Sequence, residues 1–224
     1  MITKKQLAAM IDHTNVKAYV TEEDMFKLCD EAMEYGFAMV AINSGQTRRC
    51  YDYLRSKGSL CHVGAAIGFP LGQMTIAAKV FETKDALENG ADEIDYVINI
   101  TELKKGNYAY IEDEMKQITD LTRSYNKIIK VIFETCYLSK EEIVELCKIA
   151  SKVKPDFIKT STGMGTGGAT LEDVKLMRAN VSADVKVKAS GGVRTTQEAL
   201  AFIEAGAERI GTSKGCAIVD GLAE

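Results

Sequence analysis

Short β-branched apolar runs alternate along the chain with longer amphipathic, charge-rich segments, and the two spacings predict different elements. "FAMVAIN" (37–43), "HVGAAIGF" (62–69), "EIDYVIN" (93–99), "KIIKVIFE" (127–134), "FIKTST" (157–162), "VKVKASG" (185–191) and "ERIGTS" (208–213) have the length and composition of strands. "IDHT" (11–14) supplies a short eighth. Between these runs, stretches such as "TEEDMFKLCDEAMEYG", "TIAAKVFETKDALENGA" and "SKEEIVELCKIASKV" repeat apolar residues at helical spacing. Gly36, Gly90 and Gly206 stand just before the next strand, where a helix C-cap favours a residue tolerant of left-handed backbone.

Strand-then-helix repetition predicts a parallel sheet covered by crossover helices. Eight such units in 224 residues favour an α/β (β/α)8 TIM barrel over an open, doubly wound sheet. No G-x-G-x-x-G follows the first strand, as a nucleotide-binding open sheet would have; the glycine-rich loops gather after the last three strands. With no Pro- or Ser-rich linker to divide the chain, residues 1–224 are expected to form a single domain.

Composition narrows the partners. A hydrophobic content of 46% is enough for a sizeable core, and the net charge of −4 comes from interspersed acids and bases rather than a basic block. Nucleic acid is therefore not an expected partner. No apolar run approaches the roughly 20 residues of a membrane span, and "MITKKQLAAMIDHT" lacks the apolar segment of a signal peptide, so a cytoplasmic protein is expected. Cys29, Cys50, Cys61, Cys136, Cys147 and Cys216 form no C-x-x-C pair and read as reduced, structural thiols. His13 and His62 are the only histidines, and without an H-E-x-x-H or a Cys/His cluster no metal site is expected.

In barrels of this kind chemistry sits at the carboxyl ends of the strands. Lys159, Lys188, Asp95 and Glu134 are the polar residues that stand out there. Strand alternation puts Lys159 on one face with Phe157, and Asp95 on one face with Val97 and Asn99. If those faces point inward, two amines and a carboxylate share one crowded volume. Each residue also has an ordinary reading: a strand-end lysine is commonly a solvated head on an apolar stem, Asp95 could be a structural ion-pair partner, and Glu134 could cap the following helix or bind a neighbouring backbone amide. Lys130 and Lys186 also interrupt apolar runs, so position alone does not choose the reactive amine.

The pair of lysines is more informative than either one. A lysine attacks as a nucleophile only when neutral, and desolvation or a neighbouring cation lowers its pKa toward that state. Lys188 lies one strand–helix unit beyond Lys159 and could act as that cation, with Asp95 moving protons. "STGMGTGGAT", "SGGVRT" and "RIGTSKG" supply glycine-rich turns suited to a phosphate, with Gly163, Gly191, Gly192, Arg194 and Ser213 as candidate contacts and Lys214 as a further charge. A tight turn without any ligand explains each glycine about equally well.

"IDHT", "GFPLG", "ADEIDYVIN", "KVIFET", "FIKTSTG", "VKASGGVRT" and "RIGTS" resemble, in that order, the successive strand motifs of the deoxyribose-phosphate aldolase family. The resemblance spans about residues 11 to 213. It implies a class I aldolase that needs no cofactor and reversibly cleaves 2-deoxy-D-ribose 5-phosphate to acetaldehyde and D-glyceraldehyde 3-phosphate. Lys159 would form the Schiff base, with Asp95 and Lys188 as proton-transfer partners. The implied partners are a phosphorylated sugar and an aldehyde, with a homo-oligomer left open. The chain departs from the family pattern at Asn15-Val16, at Ala41-Ile42-Asn43-Ser44, at Met164 and Lys214, and in ending "IVDGLAE" without a terminal tyrosine. These positions bear on rate and acceptor preference more than on reaction type. Two other readings remain: a Schiff-base barrel for a different sugar phosphate, and a barrel that binds a sugar phosphate without turning it over.

Overall fold

The structure, a computed structural model, describes residues 2–223. Eight parallel strands close on themselves in sequence order: β1 (Ile11–Asn15), β2 (Met39–Asn43), β3 (His62–Ile67), β4 (Glu93–Val97), β5 (Ile128–Ile132), β6 (Phe157–Lys159), β7 (Lys186–Ser190) and β8 (Arg209–Thr212). Pairing of Ile11 with Ile210 and of Asp12 with Gly211 joins β1 to β8, so the short run at "IDHT" is the strand that completes the (β/α)8 TIM barrel.

Among the described residues ten α-helices surround the strands: α1 (Lys4–Ala8), α2 (Glu22–Tyr35), α3 (Thr47–Ser56), α4 (Ile76–Glu88), α5 (Ile100–Lys104), α6 (Tyr108–Ser124), α7 (Lys140–Val153), α8 (Leu171–Asn180), α9 (Thr196–Glu204) and α10 (Gly215–Asp220). Many start where Thr, Ser or Asn caps a free amide; Thr21 and Ser139 form full capping boxes with Asp24 and Glu142. Gly36 ends α2 at φ 69, as its place in the sequence predicts.

Strand alternation sends one set of residues to the helices and the other to the barrel axis. Val40, Ile42, Val63, Ile94, Val131 and Ile158 belong to the outward set and are fully buried in the apolar layer. Asp12, Glu93, Asp95, Lys130, Lys159 and Lys188 belong to the inward set, and none is more than 7% exposed.

Several expected strands end early. β6 stops at Lys159, and β5 stops before Glu134, which adopts left-handed backbone at φ 58. Asn99 does not continue β4; it caps α5, its side chain accepting the Glu102 amide at 3.3 Å. The residues past each strand thus turn outward to build the rim rather than lengthening the sheet.

A second buried ion pair fixes the carboxyl end of β4. Lys79 of α4 donates to Glu114 of α6 at 2.6 Å and to the Val97 carbonyl at 2.7 Å, while Glu114 accepts the Asn99 amide at 3.0 Å. Both side chains are fully buried, and burial pushes the Lys79 amine down and the Glu114 carboxyl up. Lys79→Met, which strands a buried carboxylate, should cost about 3–5 kcal/mol in urea unfolding. Adding Glu114→Gln, which keeps an acceptor for Asn99 without the charge, should return at least half of that loss. An unchanged unfolding midpoint in Lys79→Met would mean that the pair does not hold β4.

Candidate active site

Strand register, rather than sequence proximity, assembles the charged cluster. Pairing of β4 with β5 sets Asp95 beside Lys130, and pairing of β6 with β7 sets Lys159 beside Lys188. The Asp95 carboxylate takes all three amines: Oδ1 accepts from Lys130 at 2.7 Å, and Oδ2 accepts from Lys159 at 2.8 Å and from Lys188 at 2.7 Å. Two ammonium heads on one carboxylate oxygen are close neighbours by geometry. Gly211 makes room for this arrangement, since a Cβ there would stand 3.0 Å from Lys188 Cε.

The three amines are not equivalent. Lys130 and Lys188 are fully buried, whereas Lys159 keeps 7% exposure and lines a small cavity with Thr14, Val16, Ala41, Ala66, Phe69 and Thr162. Burial pushes Lys130 down, but the carboxylates of Asp95, Glu93 and Asp12 outweigh it and hold the amine above its ordinary value. Lys159 goes the other way. Burial lowers it, Asp95 raises it and Lys188 lowers it again, leaving it at about 8. Asp95 is pushed up by burial, yet Lys130, Lys159 and Lys188 hold it well below the usual carboxylate range. Lys186, the remaining sequence candidate, is the exposed first residue of β7, with its ammonium 5.5 Å from the Phe157 ring centroid.

Lys159, Lys188 and Asp95 are therefore brought into contact, as strand parity suggests, and Lys130 joins them as a fourth member. Asp12, Glu93 and Arg209 extend the cluster and were not singled out from the sequence. Their signal was present: Glu93 shares the face of Asp95 two residues away, and Arg209 opens a strand with its charge on the inward parity. Glu134 sits beside the cluster, its carboxylate accepting the Thr162 amide at 3.1 Å and the Thr162 hydroxyl. Burial pushes its carboxyl up.

The glycine-rich loops form one rim. Thr160 Oγ1 donates to the Ser190 carbonyl at 3.1 Å, and the Ala169 amide reaches the Gly191 carbonyl at 3.0 Å, which folds the loop after β6 onto the loop after β7. A Cβ on Gly168 would lie 2.1 Å from the Gly191 carbonyl oxygen, and one on Gly163 would meet Gly191 at 3.6 Å. Gly168 is therefore needed for loop-to-loop contact, whereas at Gly163 it is the left-handed φ of 81, not crowding, that favours glycine. Gly192, at φ 84, has open space where its Cβ would be. Arg194 and Ser213 are exposed on the same rim, and Ser213 shares a cavity with Thr14, Asn15, Lys17 and Lys214. The backbone amides of Arg194 and Thr195 are already taken by Glu198, at 2.7 and 3.0 Å, so the start of α9 is capped from within.

The lowered Lys159 amine has a direct readout. Its acylation by acetic anhydride, followed by mass spectrometry against pH, should show a midpoint near 8. Lys188→Leu should move that midpoint upward, because a neighbouring cation is removed while Asp95 stays. A midpoint near that of an exposed lysine in the unaltered protein would contradict the geometry.

Comparison with known proteins places this architecture. Residues 6–221 match the family model described as DeoC/LacD family aldolase. The chain is 55% identical over 220 residues to the deoxyribose-phosphate aldolase of Lactobacillus acidophilus, covering 98% of this chain and 92% of that one. It is 51% identical to the deoxyribose-phosphate aldolase of Thermococcus kodakarensis, covering 98% of each. Among solved structures, the deoxyribose phosphate aldolase of Aeropyrum pernix, described as a tetramer, superposes with a TM-score of 0.90 at 30% identity, covering 97% of this chain and 91% of that one. With its closed barrel, its inward lysines and this match over nearly the whole length, the chain belongs to the DeoC/LacD family of aldolases, which are lyases.

Proposed function

We propose that this aldolase reversibly cleaves 2-deoxy-D-ribose 5-phosphate to acetaldehyde and D-glyceraldehyde 3-phosphate, with Lys159 as the Schiff-base residue. The observation that carries the reading is the asymmetry of the three amines on Asp95. Lys159 alone of them opens into the cavity and is held at about 8, so roughly a tenth of it is neutral at pH 7. The names of its relatives in Lactobacillus acidophilus and Thermococcus kodakarensis support the substrate.

In the cleavage direction the Lys159 amine adds to C1 of the open-chain sugar, and loss of water leaves an iminium. Removal of the C3 hydroxyl proton then lets the C2–C3 bond break, its electron pair moving to the iminium nitrogen to give an enamine. D-glyceraldehyde 3-phosphate departs as the C3 aldehyde. Protonation of the enamine carbon and hydrolysis release acetaldehyde and restore the amine. The lysine nitrogen is the electron sink throughout. Asp95, ionised and hydrogen-bonded to Lys159 and Lys188, is the group through which protons pass to and from carbon, and Lys188 keeps the nucleophile from holding its proton.

The phosphate end belongs to the rim. Gly163, Gly191, Gly192, Arg194 and Ser213 supply close backbone approach, a guanidinium and a hydroxyl, and Lys214 adds charge beside Ser213. Because Glu198 occupies the Arg194 and Thr195 amides, the reading gives more weight to the Arg194 side chain than to the start of α9. Residues 1–224 are taken as one aldolase domain working in the cytoplasm, where no helix of the described residues is long and apolar enough to cross a membrane.

Treatment with acetaldehyde and borohydride should add an ethyl group to Lys159, and Lys159→Ala should abolish turnover. An adduct found mainly on Lys130, Lys186 or Lys188 would reject the assignment. Efficient trapping by dihydroxyacetone compounds but not by acetaldehyde would instead favour an aldolase for a different sugar.

Binding and chemistry should separate at the rim. Arg194→Ala or Ser213→Asp should raise KM for deoxyribose 5-phosphate by roughly tenfold or more, the worth of one charge-assisted bond of about 1.5–3 kcal/mol. Cleavage of unphosphorylated deoxyribose should stay nearly unchanged in both variants. Equal losses on the two substrates would show that these residues support the barrel rather than the phosphate.

A further inference from the structure

The ion network does not end at Asp95 but continues down the barrel to its amino-terminal mouth. Arg209 donates to Asp12 Oδ1 at 2.6 Å and lies 3.4 Å from Glu93 Oε1. Asp12 also pairs with Lys188 and stands 3.8 Å from Lys130, while Glu93 pairs with Lys130. A second cavity at this end is lined by Arg209, Glu93, His62, Cys61 and Phe37, and none of these residues lines the cavity over Lys159. The Arg209 guanidinium sits 5.3 Å from the Phe157 ring centroid, with its side chain only 11% exposed.

Four cations, Lys130, Lys159, Lys188 and Arg209, share three carboxylates, Asp12, Glu93 and Asp95. One positive charge is surplus. The carboxylates are unevenly spread: Lys130 contacts three, Lys188 and Arg209 contact two each, and Lys159 contacts Asp95 alone, on an oxygen it shares with Lys188. The surplus therefore falls on Lys159. Around this network, Glu134 faces Lys159 but is engaged by Thr162, His62 contacts Glu93 at 2.7 Å, Cys61 lies by Asp12 and Glu93, and the Lys186 ammonium stands 5.5 Å from the Phe157 ring centroid.

We propose that Arg209 is a positioning residue for the aldolase reaction: by engaging Asp12 and Glu93 at the floor of the barrel, it leaves Lys159 as the uncompensated amine at the substrate end. This rests on the reading of Lys159 as the Schiff-base residue. Arg209 touches no substrate; it acts through Asp12, Lys188 and Asp95. Without it, three carboxylates would face three lysines, and the carboxylates released by Arg209 would compensate Lys188 and Lys130 more fully, weakening the charge contribution that adds to burial in lowering Lys159. The lowered Lys159 amine is the state expected of a surplus cation.

The test compares Arg209→Met, Arg209→Lys, Glu93→Gln and the double variant Arg209→Met/Glu93→Gln. Two readouts are followed against pH: acylation of Lys159 by acetic anhydride, and cleavage of deoxyribose 5-phosphate. Arg209→Met should raise the acylation midpoint by about one pH unit, a roughly tenfold loss of neutral amine at pH 7, and move the acidic limb of cleavage with it. Arg209→Lys should keep the midpoint. Glu93→Gln, which increases the surplus, should lower it, and the double variant, which restores a surplus of one, should return it to that of the unaltered protein. A folded Arg209→Met with an unmoved midpoint overturns the proposal, as does a shift that persists in the double variant. If Arg209→Met does not fold, an unmoved or raised midpoint in Glu93→Gln overturns it instead. A protein that labels as expected but neither traps acetaldehyde nor cleaves the sugar would refute the aldolase reading alone, since the acylation midpoints do not depend on turnover.

Discussion

One carboxylate, that of Asp95, holds three buried lysines at the centre of the barrel, and the electrostatics of the site follow from it. Four cations could not be kept this deep without carboxylates between them, because an isolated buried charge costs several kcal/mol and normally neutralises instead. Asp95 divides that cost unequally. Lys130 and Lys188 gain further carboxylates from Glu93 and Asp12, whereas Lys159 has only its share of one oxygen. The same contact that tethers Lys159 is thus too weak to keep it fully charged.

This imbalance carries a stability consequence with a definite sign. A lysine at about 8 in the folded chain and 10.5 when unfolded binds fewer protons in the native state between those values. Its penalty is therefore full below pH 8 and is relieved as pH rises toward 10.5. An amine held partly neutral near pH 7 is for that reason an unfavourable group for the fold. The apolar outer faces of the strands offset it elsewhere.

Much of this was legible in the sequence because it depends on period. Strand and helix runs, the order of eight units, and the inward parity of Lys159 and Asp95 follow from alternation along single segments. What alternation cannot supply is register. Lys130 reads as an interruption of "KIIKVIFE" until β5 is aligned with β4, which places it beside Asp95. Asp12 and Arg209 lie 197 residues apart, and meet only because β8 pairs with β1. Glu134 was visible as a polar strand end, but its left-handed turn toward Thr162 is set by the loop after β6. The rim was the least legible part, since nothing in the glycine-rich sequence shows that Gly168 packs against the Gly191 carbonyl and so brings the loop after β6 onto the loop after β7.

The departures from the family pattern also fall outside the ion network, which explains how the barrel tolerates them. Ala41 and Val16 line the cavity above Lys159 as apolar walls, and neither touches Asp95 or its lysines through a polar atom. Asn43 spends its amide on the Val16 carbonyl at 3.2 Å, and Ser44 donates to Glu82 at 2.7 Å, so the unusual turn after β2 ties the first two loops together. Met164 and Lys214 stand at cavity edges near Tyr137 and Ser213. Changes at such positions alter the size and charge of the entrance, while the proton affinity of Lys159 is set by its burial and by the charges that lie at and below it. The barrel separates the two along its axis: the entrance is shaped by the loops beyond the strand ends, and the ion network lies in the strand interior, where a substitution must respect the charge balance of the whole set.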